Sequence, residues 1–228
     1  DMPTFITQYE YFARLKYCIA AGRRGKIELA TGYGRLVDHF YQNTAIDFST
    51  HKQDHSTHNL GMARVRYNYH NLNNESFPTQ GASFKTTLSG YTGNYTFTPF
   101  NTKILKETNN TTWAQIEINS QNYFSLSRLF KLGTEVNILA STRKLMTNYY
   151  ASIVQAADFS PTASSKNVFN PAFRANSYVT AGLKPIFVFN DNLQLRGEVH
   201  AFMPIREILK DEFSDNAYYG NWLSKPHF

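Results

Sequence analysis

The sequence predicts an all-β protein whose strands form one antiparallel meander. Apolar and polar residues alternate over several long runs, which is the pattern of a strand with one apolar and one polar face. The chain of 228 residues contains 15 Tyr and 18 Phe, while only 18 % of its residues are charged. Aromatic side chains favour strands over helices because they fit a pleated surface. Polar connections separate the runs, so each run is expected to be a strand of its own.

The clearest strand pair lies between Gly61 and Tyr91. In its first half, Ala63, Val65, Tyr67 and Tyr69 occupy one side of the alternation, and Arg64, Arg66, Asn68 and His70 occupy the other. In its second half, residues 81–90 alternate apolar side chains with Ser, Thr and Lys in the same way. The polar segment 71–80 supplies the turn, so we expect an antiparallel pair.

Further strands are predicted along the rest of the chain. They cover residues 8–19, 26–41, 114–126, 132–140, 143–157, 178–189 and 193–201, which brings the expected number to about nine. The second of these runs loses its phase after Gly34, which predicts a bulge or a bend. Long loops are predicted at 43–59, 91–112 and 158–177, and short turns at 22–25, 71–80, near Ser127 and at 190–192.

This alternation of short turns with long loops is typical of outer-membrane barrels. Residues 8–19 are longer than an ordinary strand of ~5 to 6 residues and suit a tilted membrane-spanning strand of ~9 to 11 residues. We therefore predict that the meander forms part of a transmembrane outer-membrane β-barrel with its apolar set against lipid. The residues predicted to face the lumen are Arg14, Lys16, Arg64, Arg66, Glu117, Glu135, Arg196 and Glu198. In a soluble sandwich the same residues would face water, so a soluble all-β binding module is the alternative interpretation.

Composition excludes several other classes. The net charge is +6, but Lys and Arg are spread along many segments, so we expect no nucleic-acid partner. The single cysteine, Cys18, excludes an internal disulfide. No run reaches the ~18 to 20 apolar residues that a membrane helix needs. We expect residues 1–228 to be a single barrel-domain segment that binds no cofactor and lacks further strands at both ends.

One histidine cluster is the only candidate metal site in the sequence. His51, His55 and His58 lie close together with Asp54 between them, and imidazoles bind zinc or copper. Their spacing fits no helical ligand motif, and the interpretation that we favour is a solvated loop. No Ser, His and Asp set has a recognisable spacing, so we predict no catalytic residue in this segment.

The segment Ser76-Phe-Pro-Thr-Gln-Gly81 lies between two alternating strands and resembles the Phe-Pro-x-x-Gly turn of Omp85, or bacterial surface antigen, barrels. Phe77, Pro78 and Gly81 carry this structural motif. With its Asn- and Tyr-rich strands, the whole chain is similar to the C-terminal barrel region of patatin-like phospholipases from Bacteroidetes. The family's Val-Arg-Gly-Tyr/Phe motif is not intact, and Phe173-Arg-Ala-Asn176 occupies the corresponding long loop.

The resemblance implies a barrel in the bacterial outer membrane that is attached to an upstream periplasmic lipase domain. The segment would then serve as a membrane anchor or conduit, with outer-membrane lipid and that upstream domain as partners, and a homodimer as a further arrangement. It lacks the Gly-x-Ser-x-Gly nucleophile elbow, so any lipid acyl hydrolase activity would belong to the upstream domain. A passive outer-membrane channel and an Omp85-type translocation or assembly barrel are the alternatives.

Overall fold

The computed structural model describes residues 6–41, 53–100, 107–146, 148–162, 165, 169–190, 193–212, 214, 216–223 and 225–228. It confirms the all-β prediction. Six long strands follow one another along the chain: β1 (Ile6–Ala20), β2 (Gly25–Phe40), β3 (Asp54–His70), β4 (Gly81–Thr98), β5 (Glu107–Ser125) and β6 (Phe130–Ser141). Each pairs antiparallel with the next in continuous register, as a meander requires.

The rest of the chain adds shorter elements. These are α1 (Tyr149–Gln155), β7 (Ala157–Asp158), β8 (Arg174–Ala175), β9 (Tyr178–Asn190), β10 (Leu193–Arg196), β11 (Val199–Pro204), β12 (Arg206–Lys210) and β13 (Ala217–Trp222). β9 pairs with β6 and continues the meander, and β10 and β11 pair with β9 to complete a nine-stranded sheet. This sheet is open, because β1 pairs with β2 alone among the described strands. None of the helices in the described ranges has the length and apolar character needed to cross a membrane.

The bulge predicted after Gly34 is absent. Every residue of β2 pairs in register with β3, without a shift. Gly34 lies opposite Phe12 of β1, and a Cβ at Gly34 would come within 2.2 Å of the Phe12 ring. The glycine therefore makes room for an aromatic side chain from the neighbouring strand and does not bend its own strand.

Two loops are shorter than predicted. β3 already begins at Asp54, and β4 and β5 extend the predicted strands to Thr98 and back to Glu107. The Thr-rich sequence that suggested a loop is suited to a strand, because threonine is β-branched. Hydroxyls also pair across the two strands, as in Thr96 and Thr108, whose Oγ1 atoms lie 3.3 Å apart.

The strand predicted at 143–157 is wrong, since this segment contains helix α1. Asn148 caps the helix: its side-chain oxygen accepts a hydrogen bond of 2.8 Å from the Ala151 N–H. The strand predicted at 193–201 is interrupted at residues 197–198, opposite Pro185 of β9. The Gly197 N–H still donates to the Pro185 carbonyl at 3.0 Å, but proline has no N–H to donate in return, so the pairing is incomplete there and resumes in β11.

The two faces of the nine-stranded sheet have different surroundings. We call the inner face the one that carries Asp38, Ser89 and Glu117, and the outer face the one that carries Leu29, Leu88 and Ile116. Helix α1 packs on the inner face, where Ala151 joins a cluster with Phe40, Tyr95 and Phe97. The β12–β13 hairpin packs against α1 in turn, through Ile208 and Ile153. We call the described residues between Arg143 and Ser177 the plug, because they cover the inner face near the ends of the strands that carry the long loops.

Candidate functional site

All eight residues predicted to face the lumen lie on the inner face. The strand register places Arg14 and Lys16 beside Gly32 and Ala30, on the same side as the buried Asp38. The other six lie on β3, β5, β6 and around the β10–β11 interruption, namely Arg64, Arg66, Glu117, Glu135, Arg196 and Glu198. They come together because successive side chains of a strand point to opposite faces.

These charges pair across neighbouring strands. Arg66 lies 3.7 Å from Glu28 and donates from Nε to Thr87 at 3.2 Å, while Arg64 donates to Ser89 at 3.2 Å. Further along the sheet, Lys85 Nζ lies 3.0 Å from Glu117 Oε1. The inner face thus carries cations and carboxylates in alternation, and cross-strand pairs of opposite charge stabilise a sheet.

The most buried pair involves a residue that the sequence analysis did not single out. Lys184 of β9 lies 2.7 Å from Glu135, and both side chains are largely buried. Glu135 also accepts a hydrogen bond of 3.0 Å from Asn137. Glu198 lies 3.9 Å from Lys184 and 3.3 Å from His200, which extends the pair into a network of four groups. The alternation of Gly182, Lys184 and Ile186 in β9 is the signal that could have placed Lys184 on this face.

Arg196 joins two of the predicted features. Its Nη2 donates a hydrogen bond of 3.0 Å to the carbonyl of Pro78, and its guanidinium lies 5.5 Å from the centre of the Phe77 ring. The turn motif is therefore held by a residue 118 positions later in the chain. Gly81 ends the turn with a φ of +105°, a conformation that glycine adopts without strain.

Side chains of two asparagines shape the same turn from within. Asn74 accepts hydrogen bonds of 2.9 Å from the N–H groups of Ser76 and Phe77. Asn73 accepts two more, of 3.0 Å each, from Thr79 and Gln80. Asparagine favours turns because its side chain can satisfy backbone donors nearby. The Phe-Pro-x-x-Gly segment is thus a turn with its own side-chain hydrogen bonds, and Arg196 attaches it to the inner face.

Asp38 fixes the plug to the sheet. Its carboxylate is buried and accepts hydrogen bonds from Gln8 at 3.1 Å, from Ser56 at 3.2 Å and from Gln155 at the end of α1. Gln8 also donates to the carbonyl of Val154 at 3.4 Å. A carboxylate has four acceptor sites, so one Asp can bind groups from β1, β3 and α1 together.

Two arginines hold the plug in its fold. Arg143 donates to the backbone and side-chain oxygens of Gln155 at 2.6 and 2.8 Å, and its guanidinium stacks 4.6 Å from the Trp113 ring. Burial lowers the pKa of Arg143 to about 10, because a charge is disfavoured away from water. Arg174 donates to the carbonyl of Val154 at 2.9 Å.

Arg174 also pairs with Asp158 at 3.5 Å, within the plug. Burial lowers its pKa, and the Asp158 carboxylate acts in the opposite direction. Arg174 lies in the Phe173–Asn176 segment of the long loop, so this loop packs against the last turn of α1 and lies over the inner face. The local sequence pattern does not identify Arg143, because it predicts a strand over residues 143–157.

The structure separates the histidines of the predicted cluster. His51 lies outside the described residues. His55 and His58 occupy β3, where the register places them on opposite faces of the sheet. Their Nε2 atoms contact hydroxyls, His55 at 2.8 Å from Thr57 Oγ1 and His58 at 2.7 Å from Thr111 Oγ1. Within the described ranges, no group of three His, Cys, Asp or Glu side chains is arranged to hold a metal ion.

Neither the family models nor the curated proteins supply a function for this chain. No family model matches the chain, and no curated protein matches it. The chemistry of the two faces is therefore the basis for a functional interpretation.

Proposed function

We propose that the chain is a membrane-spanning wall segment of an outer-membrane β-barrel, with the outer face in lipid and the inner face towards the lumen. The observation that carries this proposal is an inversion of the usual burial pattern. In β4, Leu88 is 57 % exposed, whereas its polar neighbours Thr87 and Ser89 are 3 % and 2 % exposed. A protein that folds in water rarely leaves a large contiguous apolar surface uncovered.

The outer face is mostly apolar over a broad band, which Ser120, Asn122 and Thr134 interrupt on β5 and β6. It begins at Tyr9 and ends at Ile19 on β1, and comparable apolar stretches occupy 27–33 on β2, 61–69 on β3 and 179–189 on β9. Among the outer-face positions of the described strands, Arg35 is the one Lys, Arg, Asp or Glu. This separation of charge from apolar surface is what a lipid-facing wall requires.

The height of the band matches a membrane. The 11 residues from Tyr9 to Ile19 cover about 34 Å of strand at about 3.4 Å per residue. At a tilt of about 40° they would span about 26 Å, close to the apolar band of about 25 Å in outer-membrane barrels. Aromatic residues mark both ends of the band, as in membrane belts: Tyr9, Tyr11 and Tyr33 near the long loops, and Tyr67, Phe84, Phe124, Phe130 and Phe187 near the short turns.

Spin-label accessibility in a bilayer tests the proposal. In a Cys18→Ser background, nitroxides would be attached to Leu88→Cys on the outer face and to Lys85→Cys on the inner face. We expect the label at 88 to collide with oxygen dissolved in lipid, and the label at 85 to collide with a nickel chelate dissolved in water. A folded preparation that stays in solution without detergent, with both labels accessible to the chelate, would refute the proposal and favour the soluble binding module.

On the resemblance described above, we further propose that the wall anchors an upstream periplasmic patatin-like phospholipase domain. The plug supports an anchor over an open channel, because α1 and the Arg174 loop lie across the inner face. The test is phospholipid hydrolysis by the full polypeptide in proteoliposomes, measured as released fatty acid. Conductance through the same liposomes without any hydrolysis would instead favour a passive channel.

A further inference from the structure

A cationic cavity lies at the rim of the sheet, where the plug meets the β12–β13 hairpin. It has a volume of about 260 Å³ and lies between the ends of β6 and β9 and the β12–β13 hairpin. Its lining includes Ser141, Lys144, Ser177, Arg206, Tyr219 and Trp222. None of the described residues that line it is an Asp or a Glu.

Arg206 is the central group of this cavity. Its guanidinium lies between two aromatic rings, 4.5 Å from the centre of the Tyr219 ring and 5.3 Å from that of Trp222. Its Nε is buried and has no hydrogen-bond partner, and no described carboxylate pairs with the guanidinium. The adjacent Glu207 is directed at His227, 3.5 Å away. The Nε atoms of Arg143, Arg174 and Arg196 are likewise buried without a partner, so what distinguishes Arg206 is its position beside a cavity that has no carboxylate among its described lining residues, and this points to an anionic ligand.

The two other cationic residues at the cavity, Arg143 and Lys144, differ in whether they can bind an anion there. Arg143 also borders it, but its guanidinium is turned towards Gln155 and Trp113. Lys144 is exposed and belongs to no ion pair among the described residues. The cavity therefore offers a fixed guanidinium and a mobile ammonium to one anion. Guanidinium groups suit phosphate because their planar donors match its oxygens.

The position of the cavity relative to the apolar band indicates where the anion comes from. Its lining residues Ser141, Ser177 and Ile205 come within one or two residues of the last outward apolar residues of their strands, Ala140, Val179 and Met203. The cavity thus lies within about 7 Å of the edge of the apolar band. Trp222 is exposed beside it, and tryptophan is enriched at the level of lipid head groups.

We propose that this cavity binds the phosphate head group of a membrane lipid, with Arg206 and Lys144 as its cationic ligands. The inference rests on the proposed function, because only a chain embedded in a bilayer presents this rim to lipid head groups. The chemistry recognised is a phosphate group, and phosphatidic acid is the simplest phospholipid that carries one.

Native mass spectrometry of the full polypeptide, released from nanodiscs, tests the proposal. The nanodiscs would contain phosphatidylcholine with or without a small fraction of phosphatidic acid. We expect bound phosphatidic acid at a defined stoichiometry, and at least about a ten-fold weaker affinity in Arg206→Gln, as befits the loss of a hydrogen bond between charged groups. Lys144→Gln, at an exposed position, should weaken binding by a smaller factor, and Arg206→Lys should retain part of it.

Arg35→Gln is the matched control, since it removes a cation from the outer face outside the cavity. An equal loss of binding in Arg35→Gln and Arg206→Gln would mean general attraction to a cationic surface and would overturn the proposal. Equally tight binding of inorganic phosphate would overturn the assignment to a lipid. A protein that inserts into nanodiscs but shows no preference for phosphatidic acid refutes this inference alone, whereas a protein that does not insert refutes the proposed function.

Discussion

The two faces of the sheet differ more than the two sides of an ordinary strand. On the outer face the large apolar side chains are the exposed ones, as at Leu15, Leu88 and Leu183. On the inner face the polar side chains are buried, as at Asp38, Thr87 and Ser89. Soluble proteins place their groups the other way round. The difference indicates that polar pairs stabilise the sheet on its inner face, and an exposed apolar outer face is what the proposed contact with lipid requires.

A charge on the outer face is expected to have the largest effect. In Leu88→Arg, a guanidinium would enter the middle of the apolar band, so the free energy of unfolding should fall by about 2–4 kcal/mol, the cost of Arg at the bilayer midplane. The measurement is guanidinium-induced unfolding of the full polypeptide in phosphatidylcholine vesicles, followed by tryptophan fluorescence.

The matched control is Asn94→Arg on the same strand and face. Asn94 lies six residues beyond Leu88, about 20 Å along the strand at about 3.4 Å per residue, and it pairs with Asn59 and Asn110. There the same substitution should change the free energy of unfolding by about 0–1 kcal/mol. Equal effects at both positions would contradict a lipid-facing band.

Removing a buried charge from the inner face should cost less. In Glu135→Gln, Lys184 loses its partner at 2.7 Å and keeps Glu198 at 3.9 Å. We expect the free energy of unfolding to fall by about 1–3 kcal/mol, because a buried ammonium loses its close carboxylate and keeps only a neutral amide oxygen beside it. The same vesicle unfolding experiment measures the change.

Glu117→Gln provides the comparison within the inner face. Its ion pair with Lys85 is similar in length, at 3.0 Å, but both side chains are about one-third exposed. Water screens such a pair, so the expected loss is at most about 1 kcal/mol. If both substitutions had the same effect, burial would not be what distinguishes the two pairs.

The nine-stranded sheet could be predicted from the sequence, and the plug could not. In the sheet, each strand repeats with a period of two, and a meander pairs neighbours in the chain, so Arg66, Glu117 and Glu135 were assigned to one face without knowledge of the structure. The bulge was wrongly predicted at Gly34 because this glycine makes room for the Phe12 ring of the neighbouring strand, which the pattern of its own strand does not reveal.

The plug depends on contacts that are distant in sequence. Gln155 binds Asp38 across 117 positions, and nothing in the local pattern of 143–157 identifies that partner. The N-cap at Asn148 is the local signal that could have indicated a helix, because Asn at this position is a common helix start. The cavity around Arg206 is equally long-range, since it assembles the ends of β6, β9 and β13.

The smallest effect is expected where the inner face meets the short turns. In Arg196→Gln, the turn at 71–80 loses the hydrogen bond to Pro78 and the stacking on Phe77. Asn73 and Asn74 retain their four backbone hydrogen bonds, so the turn should keep its shape while it detaches from the inner face. We expect a local loss of about 1 kcal/mol, which corresponds to about five-fold faster amide exchange in residues 73–80 and unchanged exchange in β4. Hydrogen exchange of the full polypeptide in nanodiscs measures both regions at once.

Asn73→Ala is the control, because it should accelerate exchange within the turn while Arg196 still holds Pro78. Faster exchange throughout β4 in Arg196→Gln would mean that the turn at 71–80 sets the register of the sheet. The stability of the inner face would then depend on this turn as much as on its charge pairs.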